Sequence, residues 1–224
     1  MKPLTEQHLS IYRRHMVEII DMHYDLASDE IGRDALSPGL RRALLHVPRH
    51  MFVPEAMMLM SYQDTPLPIG FDKTVSQPFI GALMVDLLGL QAGDRVLEVG
   101  TGLGFQAAVM SEMGAEVFSV EVVEEFAEAA IARFNAFGYN VEVRVGDGSR
   151  GWAEHAPFDA VLVTAAAAEP LPALLDQLKP EGRMVLPVGS DDVQQLAVVT
   201  KQASGEPATR DIMPVRFTRL ETVS

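Results

Sequence analysis

The sequence predicts an α/β protein with a doubly wound, mostly parallel sheet, antiparallel C-terminal strands and an N-terminal helical extension. Three observations support this prediction. From residue 94 onward, short apolar runs alternate with helix-like segments, which is typical of parallel strands joined by crossover helices. The first of these runs enters a glycine-rich turn at Gly100. The last two strands are joined by a link, 202–207, that is too short for a helical crossover.

Composition narrows the class of protein. The chain has 224 residues, of which 48% are hydrophobic, so it can bury a sizeable core. We expect a single domain over 1–224, in which 1–90 supply helices and a loop beside the functional site and 91–224 form the ligand-binding core. The net charge of −13 makes nucleic acid a poor partner. The lack of cysteine excludes disulfides, thiolate metal sites and cysteine nucleophiles.

Hydropathy gives an expectation about location. No apolar run in the sequence approaches the length of a membrane span. The polar residues 1–7 lack the apolar region of a signal peptide. We therefore expect a cytoplasmic enzyme or binding protein without a membrane partner.

The first ninety residues carry mainly helical patterns. Helices are predicted after a Thr5 N-cap, from Pro38, over 55–60 and over 79–88. His46 and His50 lie four residues apart, but Pro48 interrupts the helix between them. We therefore expect ordinary surface histidines there rather than a metal site.

Residues 62–78 predict a long irregular segment, because Pro66, Pro68, Gly70 and Pro78 interrupt it. A loop of this length in a compact domain is often functional or mobile. A plain connecting loop would have the same composition, so the sequence leaves both interpretations open.

The remainder of the chain predicts alternating strands and helices. Strands are predicted at 95–99, 116–120, 141–145, 158–164, 183–188, 195–201 and about 212–220. Helices are predicted at 104–113, 123–137 and 170–178. The final two strands should be antiparallel. In an open parallel sheet of this kind, the ligand lies at the carboxyl ends of the strands.

The glycine-rich turn indicates a ligand that carries an amine. Its pattern is Glu-x-Gly-x-Gly-x-Gly from Glu98 to Gly104, and the dinucleotide fingerprint fails because Phe105 occupies the place of the third glycine. An acid just inside the strand suits an ammonium group better than a pyrophosphate. The alternative is a structural turn that binds no ligand.

Acidic residues follow three successive strands of the predicted sheet. Glu121 ends the second strand, where a ribose would need an acceptor for its two hydroxyls. Asp147 ends the third, where it could accept a hydrogen bond from an exocyclic amine. Each acid alone could be a helix cap or a solvated loop residue. Together with Glu98 they fit a cationic ligand with an amine, a ribose and an adenine but no phosphate, which describes S-adenosylmethionine.

Several motifs occur in a specific order from Val47 to about Leu220. They are Val47-Pro-Arg, Phe52-Val-Pro54, Leu67-Pro-Ile-Gly70, Thr74-Val-Ser-Gln-Pro78, Val96-Leu-Glu-Val-Gly-Thr-Gly-Leu-Gly104, Gly146-Asp-Gly148, Pro157-Phe-Asp-Ala160, Thr164-Ala-Ala-Ala167, Leu178-Lys-Pro180, Pro187-Val-Gly189 and Val215-Arg-Phe217. With these motifs the chain resembles the protein-L-isoaspartate O-methyltransferase family. The glycine motif alone would indicate only a Rossmann-like class I methyltransferase, and the segment from Leu67 to Pro78 makes the resemblance specific.

The resemblance implies methyl transfer from S-adenosylmethionine to the α-carboxylate of isoaspartyl residues in damaged proteins and peptides, without a metal and with S-adenosylhomocysteine as the product. By similarity, Ser76 lies beside the reacting carboxylate. The implied cofactor-binding residues are Glu98, Gly100, Thr101, Gly102, Gln106, Glu121, Asp147 and Gly148. The implied substrate-binding residues are Ile69, Thr74, Val75 and Ser76.

The chain departs from the family pattern beside the acceptor, where Asp72-Lys73 replaces the usual Gly-Gln. This departure leaves two alternatives open. One is a methyltransferase of the same fold that acts on a dedicated peptide or another acceptor, and the other is a non-catalytic S-adenosylmethionine-binding protein. The oligomeric state is not predicted by the sequence.

Overall fold

The N-terminal helical extension is present in the computed structural model, which describes residues 5–223. Its helices are α1 (Glu6–Leu26), α2 (Ser28–Ile31) and α3 (Pro38–His46). The predicted N-cap is confirmed, because the Thr5 side chain accepts a hydrogen bond from the His8 backbone N–H at 3.4 Å. Residues three and four positions apart on α1 are buried against the rest of the protein, as Met16, Val17 and Ile20 illustrate.

The segment predicted as irregular contains a β-hairpin, so that prediction was wrong over part of its length. Two 3-10 turns, Arg49–Phe52 and Glu55–Met60, precede the hairpin of β1 (Leu67–Gly70) and β2 (Lys73–Val75). Phe71 and Asp72 form the turn with φ of 50° and 55°. Two-residue hairpin turns with positive φ usually carry Asn or Gly. Since neither residue occupies this turn, the usual sequence signal is absent.

A seven-stranded sheet forms the centre of the protein, in the order β5-β4-β3-β6-β7-β8-β9. Its strands are β3 (Arg95–Val99), β4 (Glu116–Glu121), β5 (Val141–Val145), β6 (Phe158–Val163), β7 (Leu178–Gly189), β8 (Gln194–Lys201) and β9 (Pro207–Val215). The helices that follow α3 are α4 (Pro78–Leu88), α5 (Phe105–Glu112), α6 (Glu124–Phe137) and α7 (Pro172–Asp176). The five strands from β3 to β7 are mutually parallel, and β8 and β9 are each antiparallel to the strands beside them. This arrangement confirms the predicted topology.

Two boundaries differ from the sequence prediction. Strand β7 begins at Leu178 rather than at 183, and the helix predicted over 170–178 is correspondingly short. The last strand was predicted over 212–220 but ends at Val215. Beyond it the chain turns toward the end of β6, where the Leu220 N–H donates to the Ala166 carbonyl at 2.9 Å. This tertiary contact removes the final apolar residues from the sheet.

Alternating strand residues supply two separate apolar cores. Val96 and Val117 face the core beneath α4 and α5, while Leu97 and Phe118 face a second core on the opposite side of the sheet. Both sides are covered, as a doubly wound sheet requires. Among the described residues, no helix is long and apolar enough to cross a membrane.

The two predicted surface histidines have different environments. His46 is exposed, as expected. The prediction for His50 was wrong, because this residue is buried and its Nδ1 lies 2.8 Å from the Tyr62 hydroxyl. Burial lowers the pKa of His50 below its usual value. Within residues 5–223, no group of three or more histidine or acidic side chains is arranged to hold a metal ion.

Candidate active site

An open cleft of about 880 Å³ lies at the carboxyl ends of β3, β4 and β6. Three parts of the chain enclose it: the β1–β2 hairpin, the turns that follow the parallel strands, and the C-terminal residues 218–221. Most of the sequence-predicted site residues line this cleft. They are Ile69, Thr74, Val75, Ser76, Gly100, Thr101, Gly102, Gln106, Glu121 and Gly148.

The glycine turn brings bare backbone to the floor of the cleft. Gly100 and Gly102 have φ of 94° and 53°, which side-chain-bearing residues rarely adopt. A Cβ atom on Gly100 would lie 2.3 Å from the Thr164 Oγ1 atom. The turn is therefore closed to larger residues, and a ligand can approach the main chain directly.

Glu121 offers two hydrogen-bond acceptors at the tip of β4. Its Oε2 accepts the Gly102 N–H at 2.7 Å, and its Oε1 accepts the Val123 N–H at 3.0 Å. These bonds fix the carboxylate in a position where it is only 5% exposed. Each oxygen can accept a further hydrogen bond. A pair of neighbouring hydroxyls, as on a ribose, fits this arrangement.

Glu98 lies behind the cleft rather than in its lining. Strand β3 points it to the same side as Val96, directly opposite Ser119 on β4, and it is fully buried. The Ser119 hydroxyl donates to Glu98 Oε2 at 2.5 Å, and the Thr101 Oγ1 lies 2.6 Å from the Ser119 Oγ. Thr101 itself lines the cleft. The sequence-predicted acid therefore reaches the cleft only through two hydroxyls.

Burial raises the pKa of Glu98 to about 8; the Ser119 hydrogen bond lowers it, and the Glu121 charge raises it further. Within the described chain, Glu98 Oε1 has no hydrogen-bond partner. A cationic ligand in the adjacent cleft would favour the charged form of this acid. The Glu121 carboxylate in the lining and this acid behind it suit a ligand that carries positive charge.

Asp147 also lies outside the cleft lining. Its Oδ1 accepts hydrogen bonds from the Ser149 N–H at 2.9 Å and the Ser149 hydroxyl at 2.7 Å. Burial raises the pKa of Asp147, but these hydrogen bonds outweigh burial and hold the pKa below its usual value. The neighbouring Gly148 does line the cleft and packs directly against Val99.

The hairpin lines the cleft beside the glycine turn, since a Cβ atom on Gly102 would lie 3.6 Å from the Ile69 Cδ1 atom. Ser76 follows β2 and is half-buried, and its carbonyl accepts a hydrogen bond from Arg49 Nη2 at 2.7 Å. Gln106 lies at the first turn of α5, where its amide donates to the Gly81 carbonyl at 2.7 Å. That bond ties α5 to α4, so Gln106 contributes to the shape of the cleft as well as to its lining.

Sequence reasoning did not identify several lining residues. Arg49, Lys73 and the C-terminal residues 218–221 all contribute to the cleft. Lys73 forms an ion pair with Glu221, which links the hairpin to the C-terminal segment. The motifs Val47-Pro-Arg and Val215-Arg-Phe217 were visible signals, but nothing in the sequence places them beside the strand ends.

The sheet order and the cleft together define the class of protein. The protein has parallel strands with a glycine turn after the first, a carboxylate fixed by backbone N–H groups at the end of the second, and a buried acid beneath the turn. This combination is that of a Rossmann-like class I S-adenosylmethionine-dependent methyltransferase. Within this class, the chain belongs to the protein-L-isoaspartate(D-aspartate) O-methyltransferase family, whose family model matches residues 26–223.

Individual relatives cover nearly the whole chain. Protein-L-isoaspartate O-methyltransferase 1 of Polaromonas sp. strain JS666 is 48% identical over 219 residues, which cover 97% of this chain and 93% of the relative. Protein-L-isoaspartate O-methyltransferase 2 of Archaeoglobus fulgidus is 50% identical over 189 residues, covering 83% and 86%.

Solved structures share the fold. One protein-L-isoaspartate O-methyltransferase matches with a TM-score of 0.79 and 29% identity; the match covers 92% of this chain, which spans 65% of that protein's length. A putative protein-L-isoaspartate O-methyltransferase from Plasmodium falciparum, in complex with S-adenosyl-L-homocysteine, matches with a TM-score of 0.73 and 23% identity, covering 84% of this chain and 92% of that one.

Proposed function

We propose that this protein transfers the methyl group of S-adenosylmethionine to the α-carboxylate of L-isoaspartyl residues in damaged proteins and peptides. One observation carries the proposal: in a member of this family, Ser76 and the hairpin that precedes it line the same cleft as the glycine turn. The cleft therefore has a side for the cofactor and a side for the acceptor.

The reaction needs no strong base. Free carboxyl groups titrate near pH 4, so the acceptor is already ionised at neutral pH. When bound, S-adenosylmethionine supplies an electrophilic methyl group and a neutral leaving group. The chain must hold the acceptor in line, exclude water from it and tolerate the loss of charge. In the proposed arrangement the Ser76 hydroxyl donates to one carboxylate oxygen and leaves the other free to react.

Each side of the cleft has proposed ligand contacts. Glu121 accepts the ribose hydroxyls, the backbone at Gly100 and Gly102 lies along the cofactor, and Glu98 acts from beneath through Ser119. Asp147 is proposed to meet the adenine amine. An extended peptide is proposed to lie along Ile69, Thr74 and Val75, since backbone-directed contacts tolerate varied side chains.

We treat 1–224 as a single methyltransferase domain and place it in the cytoplasm, which cell fractionation can test.

A second acceptor specificity has one observation in its favour. Lys73 replaces a neutral residue of the family pattern and lines the cleft. Its ion pair with Glu221 closes this part of the acceptor side, and that change of shape would favour a dedicated peptide or another acceptor. This alternative keeps the same fold, cofactor and chemistry, and it differs only in what the acceptor side recognises.

The deciding experiment measures methyl transfer from labelled S-adenosylmethionine to one short peptide in isoaspartyl and aspartyl forms. We expect transfer to the isoaspartyl form alone. Equal transfer to both forms would favour the alternative acceptor. Cofactor binding by calorimetry with transfer to neither peptide would overturn the proposal and favour a non-catalytic binding protein.

A further inference from the structure

We infer that Arg49 supplies the positive charge that binds the acceptor carboxylate and that it positions Ser76 beside that carboxylate. The inference rests on the proposed function, because it deepens the recognition of the same acceptor. It assigns a role to a residue that lines the cleft and makes no ion pair within residues 5–223.

The Arg49 side chain is immobilised in one orientation. It is only 1% exposed, its Nε donates to the Ser61 carbonyl at 2.7 Å, and its Nη2 donates to the Ser76 carbonyl at 2.7 Å. The guanidinium carbon lies 4.6 Å from the centroid of the Phe105 ring. Arg49 therefore joins the 3-10 turn that carries it to the end of the hairpin and holds the Ser76 backbone from behind.

A buried cation without a counter-ion is unusual, because desolvation is repaid only by close partners. Asp64 is the acid whose charge most affects Arg49, but its oxygens accept from the Gln77 side chain and the Phe79 N–H instead. Burial lowers the pKa of Arg49 to about 10. The group therefore remains charged at neutral pH, with its nearest acid otherwise engaged.

One nitrogen of the guanidinium has no hydrogen-bond partner within residues 5–223. Nε and Nη2 donate to carbonyl oxygens, whereas Nη1 makes no hydrogen bond within the described residues. Because Arg49 lines the cleft, this nitrogen would be the atom that meets a bound carboxylate. A free guanidinium N–H beside Ser76 is suited to a carboxylate oxygen.

The other cations of the cleft lining are already neutralised. Lys73 pairs with Glu221, and Arg219 pairs with Asp191. Among the lining residues that the structure describes, Arg49 is thus the cation that lacks a carboxylate partner. The acceptor carboxylate would complete the pair, and the same contact would place it against the Ser76 hydroxyl.

The test separates charge recognition from structural support. Two peptides are compared, one with an isoaspartyl α-carboxylate and one with the neutral α-carboxamide in its place. Their dissociation constants are measured by calorimetry with S-adenosylhomocysteine present, so that no methyl transfer occurs. We expect the wild type to prefer the carboxylate by about ten- to hundredfold, as a charge-assisted hydrogen bond provides. Arg49→Met should reduce that preference to about threefold or less, and Arg49→Lys should retain part of it.

Arg13→Met is the matched control. Arg13 is also buried, at 8% exposure, but it pairs with Glu6 outside the cleft lining. This variant loses a buried guanidinium as well, and it should keep the wild-type preference for the carboxylate. Thermal unfolding and S-adenosylhomocysteine affinity show which variants remain folded. If Arg49→Met does not fold, Arg49→Gln decides the question, because it removes the charge but keeps an amide donor.

Two outcomes overturn the inference alone. One is an unchanged carboxylate preference in a folded neutral variant, Arg49→Met or Arg49→Gln, which would make Arg49 purely structural. The other is a wild type that methylates the isoaspartyl peptide yet binds the carboxamide equally well. A wild type that fails to methylate the isoaspartyl peptide would instead overturn the proposed function.

Discussion

Replacing Glu98 by Gln should remove most of the pH dependence that this residue gives to stability. Glu98 is fully buried, and burial raises its pKa from the usual 4.5 to about 8. Because the folded-state pKa exceeds the unfolded-state value, the folded protein binds the extra proton between these two pH values. The wild type therefore loses stability as the pH rises above 4.5, and the loss is complete above about pH 8. Glu98→Gln stays neutral throughout and avoids this loss.

The size of the effect follows from the two pKa values. Each tenfold change in proton affinity corresponds to about 1.4 kcal/mol. The span from 4.5 to about 8 therefore corresponds to roughly 5 kcal/mol of unfolding free energy, of which roughly 4 kcal/mol falls between pH 5 and pH 9. Ser119 donates to Glu98 Oε2, and the amide oxygen of Gln can accept the same bond. The amide is thus a close substitute for the protonated acid.

Urea unfolding at pH 5, 7 and 9, without cofactor, measures this effect. The unfolding free energy of Glu98→Gln minus that of the wild type should increase by a few kcal/mol from pH 5 to pH 9, since all other titrations cancel in this difference. Glu154→Gln is the control, because the Glu154 side chain is 74% exposed and its replacement should change stability by less than about 0.5 kcal/mol. Parallel pH curves for the wild type and Glu98→Gln would refute the reasoning, because they would mean that ionising Glu98 costs nothing in the fold.

Three further predictions concern single positions. Ser76→Ala should lower kcat/KM on an isoaspartyl peptide by roughly 5- to 150-fold, the equivalent of a lost hydroxyl donor, with unchanged S-adenosylmethionine affinity; full activity would exclude Ser76 from acceptor binding. Gly104→Ala should destabilise the protein by about 2 kcal/mol or more, because its φ is 96° and a Cβ atom would lie 2.6 Å from a phenylalanine ring atom. Gly138→Ala, with φ of 75° and open space around it, should cost about 1 kcal/mol, and equal losses in urea unfolding would contradict the steric argument. Asp86→Ala should cost about 3 kcal/mol in the same assay, since this buried carboxylate accepts from the Tyr24 hydroxyl and from Arg33; a loss below about 1 kcal/mol would show that these partners find water.

The parallel core could be predicted because its signals are local. Strand β3 and the turn through Gly100 and Gly102 combine an apolar run with residues that accept positive φ, and both features are visible in a short window. The alternation of strands and helices then predicts that the ligand lies at the carboxyl ends of the parallel strands. Glu121 could be placed for the same reason, since it is the last residue of an apolar strand.

The acceptor side could not be predicted in the same detail. The Phe71-Asp72 turn lacks the residues that usually mark a tight hairpin, so β1 and β2 gave no sequence signal. Glu98 illustrates a different limit. Its position on the strand was correct, but only the packing of helices over that side of the sheet buries it and removes it from the cleft lining.

By itself, the sequence determined the sheet, the glycine turn, the cofactor class and the family resemblance, because periodicity, turn chemistry and motif order are properties of neighbouring residues. Only the tertiary structure decided how distant segments complete the cleft. Arg49 reaches the Ser76 carbonyl across 27 positions of sequence, and Lys73 reaches Glu221 across 148. Such contacts depend on how the hairpin and the C-terminal segment pack around the strand ends, and no local pattern specifies that packing.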